Sequence, residues 1–243
     1  MSVADNIGRI EERIASACAR SGRRREEITL MAVTKFQELA AVEEAWSAGI
    51  RCFGESRVQE AAAKFDGFRE GRLRMAAKAD AKAGAGAGAE LHMVGGLQRN
   101  KAKAAVKLFD CIQSVDSESL ALELAKRAAG RESPLPVLLE FRTGEDSKSG
   151  FTCLDGLFRA AEIVLACPSL EARGLMTMAP FTDDEAPLRA AFRRLADARR
   201  ELARRFPGEG NWLCLSMGMS GDFEIAVEEG STLLRIGGAI FGG

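Results

Sequence analysis

The sequence has 243 residues, 47% hydrophobic and 28% charged, with a formal net charge of -1 at pH 7. Its length fits one α/β-barrel domain of about 250 residues, and its hydrophobic share excludes a chain too polar to build a core. The balance of 34 basic against 35 acidic residues excludes a protein that works by neutralising nucleic-acid phosphates.

In chain order, residues 5–20 place Ile7, Ile10, Ile14, Ala17 and Cys18 at helical spacing. Residues 28–34 form a short apolar run ending at Lys35, a strand buried on both faces. A helix over 39–48 stops at Gly49, a good residue just past a helix end. Strand 51–55 and helix 58–68 follow, then strand 91–95 and helix 100–108, and strand 111–115 and helix 117–129. The pattern continues with strand 136–141 and helix 154–165, strand 173–178 and helix 184–206, strand 212–217 and helix 223–229, and strand 233–237. Eight strands alternating with helices predict a closed (β/α)8 TIM-type barrel rather than an open doubly wound sheet. The N-terminal helix is extra and fills the place of the last outer helix. The whole of 1–243 reads as a single domain. Residues 76–89, rich in Ala and Gly, read as a low-complexity surface insertion between helix and strand.

No apolar run reaches the ~20 residues that cross a bilayer. No export signal is visible at the N-terminus. None of the six cysteines forms a C-x-x-C pair. They read as reduced thiols of a cytoplasmic core, without metal or disulfide spacing. No long exposed apolar stripe stands out, which favours a monomer.

Barrels of this type carry their chemistry at the C-terminal ends of the strands. Lys35 ends the first strand. It either starts a solvated loop or sits desolvated above the core, where a neutral amine can form an imine. Ser216 to Gly221 and Arg235 to Gly238 make two Gly-rich turns after strands seven and eight. Such turns bind phosphate through backbone N–H groups, or are simple turn geometry. Arg235 lies in an apolar strand and needs a partner: a carboxylate such as Glu55, or a ligand nitrogen or phosphate. His92, the one histidine, reads as a hydrogen-bonded core residue, because no Cys, Asp or second His stands at ligand spacing. The acidic stretch 144–150 reads as a solvated turn.

Several segments in register resemble the YggS/PROSC family of pyridoxal-phosphate homeostasis proteins. They include Ala32-Val33-Thr34-Lys35, Phe53-Gly54-Glu55, His92 with Gly95, Lys148-Ser149-Gly150-Phe151, Gly174 to Pro180, Leu215 to Ser220 and Arg235-Ile236-Gly237. The resemblance spans nearly the whole chain. It implies a barrel like the N-terminal domain of alanine racemase, with pyridoxal 5'-phosphate held as a Schiff base on Lys35. It also implies Ser216, Ser220, Gly237 and Gly238 near the phosphate, Arg235 facing the pyridine nitrogen, and His92 and Met176 lining the pocket.

The sequence departs from the family pattern at Ser56, where Asn is common, and at Gly238, where Thr is common. Each loses a neutral hydrogen bond worth ~1 kcal/mol, so the expectation is retained but weaker binding. The resemblance implies intracellular cofactor homeostasis, with apo-enzymes as recipients and without significant catalysis. An amino-acid racemase or lyase is the alternative, and a regulatory scaffold without cofactor a third. Racemisation needs a general base on each face of the substrate carbon, and the sequence has no Tyr to supply the usual second one.

Overall fold

A computed structural model describes residues 2–65, 88–144 and 149–242. Eight parallel strands close a barrel in chain order: β1 Thr29–Val33, β2 Cys52–Glu55, β3 Glu90–Met93, β4 Cys111–Val115, β5 Leu135–Glu140, β6 Leu170–Met176, β7 Cys214–Ser216 and β8 Leu233–Ile236. Around them stand α1 Val3–Ser21, α2 Leu39–Ser47, α3 over 58–65, α4 Ala102–Leu108, α5 Glu118–Ala128, α6 Leu154–Ala166, α7 Glu185–Arg205, α8 Phe223–Glu228 and the short α9 Gly238–Phe241. The expected insertion 76–89 lies outside the described residues, apart from Gly88 and Ala89, and so do 145–148 of the acidic stretch.

The strands are apolar runs because both faces are covered: one by helices, the other by the barrel's own interior. Every second side chain points inward. Met31, Cys52 and Leu233 form one interior cluster, and Cys111, Leu138 and Met176 another. Gly54 makes room for this filling, since a Cβ there would meet Met31 Sδ at 2.7 Å. β6 carries an irregularity opposite Val137 and Leu138, after which Gly174 takes φ +148°.

Most strands differ from expectation by a residue or two at their ends; β3, for one, ends at Met93 instead of at 95, and β6 and β7 show why. β7 spans only Cys214–Ser216; just before it, Leu213 N–H donates to the Asn211 side chain instead of to a neighbouring strand. Asn211 N–H donates to Ala172 O, and the Trp212 indole N–H donates to Glu209 O. β6 starts earlier than expected, at Leu170, which pairs with Leu135. It ends at Met176, and the next carbonyl, Thr177 O, accepts from Arg235 instead.

The N-terminal helix does complete the outer ring. α1 packs on α8 and α9 on one side and α2 on the other. Its expected apolar face, Ile7, Ile10, Ile14, Ala17 and Cys18, is buried. Ser2 and Asp5 cap its start with reciprocal hydrogen bonds, and Gly22 at φ 68° ends it.

Ion pairs tie α1, α8 and α7 together. Arg189 bonds Glu228 at 2.5 Å and Glu229 at 2.8 Å, Arg193 bonds Glu229 at 2.8 Å, and Arg20 bonds Glu228 at 2.7 Å. Burial raises the affinity of both glutamates for protons, but the arginine hydrogen bonds outweigh it and hold both below the usual carboxylate range. A carboxyl depressed in the folded state stabilises above its unfolded value, and that stabilisation is lost as pH falls through the folded value. Arg189→Leu is therefore expected to lower stability by about 1 kcal/mol at pH 7. The gap from the parent should close as pH falls below the carboxylate range. Urea denaturation of both proteins across that range checks this, and a gap independent of pH would refute the assignment.

Candidate functional site at the C-terminal ends of the strands

Lys35 follows β1 by two residues and opens a turn. Its side chain is exposed, which matches the solvated loop position and not the desolvated one of the two the sequence left open. The Phe36 ring lies 6.0 Å from Lys35 Nζ. Phe36 is itself 75% exposed and adopts φ 66°. A bulky residue in that left-handed region is uncommon, and it is the only non-Gly residue with positive φ among those described. The chain bends sharply beside Lys35.

The strand that carries Lys35 is anchored from outside the barrel. Glu55 and Thr34 point outward, toward α3. Glu55 Oε1 accepts from Thr34 Oγ1 at 2.7 Å and from Lys64 Nζ at 2.8 Å, and Lys64 Nζ also donates to Thr34 O at 2.6 Å. Glu55 is fully buried, and its Oε2 has no hydrogen-bond partner among the described residues. The suggested Glu55–Arg235 pair therefore does not form: the two side chains lie on opposite faces of the barrel wall.

β8 lies beside β1, with Met31 opposite Arg235 and Ala32 opposite Ile236. That register brings Gly237 against the end of β1, where a Cβ would sit 3.0 Å from Val33 O. Ser220 joins the same corner, its Oγ accepting from Ala239 N at 3.1 Å. Lys35, Ser220, Gly237 and Gly238 are thus neighbours at one rim, although far apart in the chain. Ser56 is half-buried at the end of β2. Its backbone is pressed by Gly95, where a Cβ would come within 2.4 Å of Ser56 O.

Arg235 enters the interior below this corner and is buried. It donates to Ser216 Oγ at 2.7 Å and to Thr177 O at 2.7 Å. Both acceptors are neutral. Burial pulls its pKa down to about 10, against the more distant carboxylates of Asp222 and Glu140, so it stays charged at pH 7. Burial also raises the carboxyls of Glu140 and Asp222. Met176 lies in the interior beside Leu138.

His92 is not at the rim. It sits in the layer nearer the strands' N-terminal ends and reaches Arg235 only through a relay. Arg235 can only donate, so Ser216 Oγ accepts from it and donates onward to Gln113 Oε1 at 2.6 Å. Gln113 Nε2 then lies 2.8 Å from His92 Nδ1, and His92 Nε2 lies 3.1 Å from Glu90 Oε2. Gln113 went unnoticed in the sequence. The signal was there, since a polar residue two places from Cys111 in a buried strand must share its inward face.

The cysteines are free thiols, and Cys18, Cys52 and Cys111 are buried as expected, whereas Cys153 is exposed. Burial pushes the Cys214 thiol up to about 11. The expectation that His92 lacks metal-ligand neighbours does not hold in space: Cys52, Glu90 and His92 place ligand atoms within 4.8 Å of one another.

Comparison with known proteins agrees with this fold. The sequence profile of the family described as "Alanine racemase, N-terminal domain" matches residues 6–243. A curated relative from Vibrio cholerae, named pyridoxal phosphate homeostasis protein, is 39% identical over 242 residues, covering 99% of this chain and 96% of its own length. One from Escherichia coli K12 with the same name is 36% identical, covering 99% and 96%. Among solved structures, PipY of Synechococcus elongatus with PLP bound is 34% identical with a TM-score of 0.75, covering 96% of this chain and 100% of that one. The full-length identities and the barrel with its added N-terminal helix together show that this chain belongs to the pyridoxal phosphate homeostasis protein family, built on the alanine racemase N-terminal domain.

Proposed function

We propose that this chain, acting over 1–243 as one cytoplasmic, monomeric unit, holds pyridoxal 5'-phosphate as a Schiff base on Lys35. Its role is to store the cofactor and deliver it to apo-enzymes, with little catalysis of its own. The bound cofactor supplies a reactive aldehyde and an electron-withdrawing ring. Lys35 Nζ masks the aldehyde reversibly, with loss of water. The turn residues Ser220, Gly237 and Gly238 offer hydroxyl and backbone groups to a phosphate, as is common after strands seven and eight of such barrels. Ser56, Met176 and Ser216 line the walls. His92 acts through Gln113 and Ser216 rather than by contact.

The observation that carries this reading is Arg235. Among the described residues, the buried guanidinium is held only by Ser216 Oγ and Thr177 O, and it still has donors for an acceptor in the barrel mouth. A pyridine nitrogen suits it. Facing a group that cannot give up its proton at pH 7, that nitrogen stays unprotonated, which weakens the ring as an electron sink. The lack of Tyr removes the usual second acid. Both features support holding over turnover.

Protein mixed with the cofactor is expected to show a visible absorption band that borohydride abolishes, with mass added to the peptide containing Lys35. Lys35→Ala should lose both band and label. An unmodified Lys35, or label on another lysine, would overturn the proposal. Robust racemisation of any amino acid, lost in Lys35→Ala, would favour the enzyme instead.

A further inference from the structure

A soft thiol, a borderline imidazole and a hard carboxylate meet at the other end of the barrel. Cys52 Sγ lies 3.8 Å from His92 Nε2, and Glu90 Oε2 lies 3.1 Å from the same nitrogen. Tetrahedral zinc takes sulfur at about 2.3 Å and imidazole nitrogen or carboxylate oxygen at about 2.0–2.2 Å, which sets S···N near 3.6 Å and N···O near 3.4 Å. The observed separations are within about 0.3 Å of those edges. We propose that Cys52, Glu90 and His92 form a zinc-binding site at the N-terminal ends of the strands, separate from the Lys35 rim.

The surroundings suit this. The three residues line a cavity of about 190 Å3 that Cys111 and Asp110 also line. Cys111 stands opposite His92 in register and within its hydrogen-bonding reach, the nearest fourth donor. Cys52 and His92 are buried, while the Glu90 side chain is 66% exposed, so the site has dry soft donors and an open side for entry. A thiolate, an imidazole and one carboxylate favour zinc over magnesium or calcium, which prefer oxygen alone. A disulfide does not compete for the thiols. Cys52 and Cys111 lie on β2 and β4 with β3 between them, about 9–10 Å apart, beyond the ~7 Å that a disulfide spans.

The hydrogen-bond relay also allows it. With Gln113 oriented to donate, His92 carries its proton on Nε2 and gives it to Glu90. Turning the Gln113 amide half a turn presents Oε1 to His92 Nδ1–H and Nε2 to Ser216 Oγ, which then accepts from both Gln113 and Arg235, and it frees the His92 Nε2 lone pair for the metal. Zinc binding then moves the imidazole proton to Nδ1 and releases the Cys52 thiol proton to solvent. The second ring nitrogen remains oriented by a buried partner, as in established zinc sites.

The test uses the full chain, stripped with a chelator and titrated with Co2+ and Zn2+. The expected result is a single tight equivalent of Co2+ with a sulfur-to-cobalt charge-transfer band, displaced by Zn2+. Zn2+ should also raise the melting temperature. Cys52→Ser should at least halve the band, leaving at most a Cys111 contribution, and weaken binding by at least about 10-fold; His92→Gln should weaken binding by the same factor. Cys153→Ser, which removes the exposed thiol, should change neither. Circular dichroism confirms that each variant keeps the barrel. Absence of tight binding in the parent protein overturns the proposal whatever the variants do. So does a band undiminished in Cys52→Ser or lost in Cys153→Ser.

Discussion

Lys64→Met is expected to lower stability by about 3–5 kcal/mol, a large fraction of a typical domain's total. Lys64 Nζ is the only cation bonded to Glu55 among the described residues, and Glu55 is fully buried. Glu55 already leaves one oxygen without a partner among the described residues. Removing the ammonium leaves a buried carboxylate held by a single hydroxyl, Thr34 Oγ1. It also strips the donor from Thr34 O, on the residue before Lys35. A charge abandoned in that way costs far more than the pair contributed. The double variant Lys64→Met with Glu55→Leu removes the charge along with its partner, so it should recover much of the loss. Urea denaturation of the four proteins in this cycle gives the coupling directly. A single-variant loss below about 0.5 kcal/mol, the scale of an ordinary surface change, would show that the pair is not holding β1 to α3. The same variant should retain the cofactor less well, because the peptide that presents Lys35 loses one of its anchors.

The barrel was legible because parallel strands covered on both faces must be short apolar runs, and all eight runs stood out. The ends of β6 and β7 were not, because Leu213 N–H bonds the Asn211 side chain and Thr177 O accepts from Arg235, bonds that carry no periodic signal. Strand parity explains the clearest error at the site. Gly54 faces Met31 inside the barrel, so Glu55 must face outward and Arg235 is beyond its reach. That rule was readable in the sequence once the inward face of β2 was known. Lys35 was found by its position at a strand end, but its exposure depends on the turn at Phe36, which no residue pattern announces. The Cys52 and His92 pair was invisible as spacing, since 40 positions separate the two and only the pairing of β2 with β3 unites them. Glu90 and His92, two apart in one strand, did share a face by parity alone.

Gly174→Ala is expected to cost about 3–5 kcal/mol, from backbone strain and overpacking together. Gly174 takes φ +148°, and a Cβ there would lie 1.9 Å from Cys214 O, a backbone atom of the neighbouring strand. A flexible side chain could swing aside, but a paired strand cannot, and Gly174 is the residue opposite Cys214 in the β6–β7 ladder. β7 is only three residues long, so pushing Cys214 moves Ser216 with it. Ser216 Oγ is where Arg235 meets Gln113, and its carbonyl accepts from Thr177 N. The substitution should therefore unseat Arg235 as well as destabilise the barrel, and cofactor retention should fall with stability. Gly208→Ala separates the two causes. Gly208 also has positive φ, at +76°, but a Cβ there meets nothing within 4 Å. It should lose only about 1 kcal/mol, the penalty of an unfavourable backbone without crowding. Equal losses in the two variants would show that conformation alone, and not contact with β7, requires glycine at position 174.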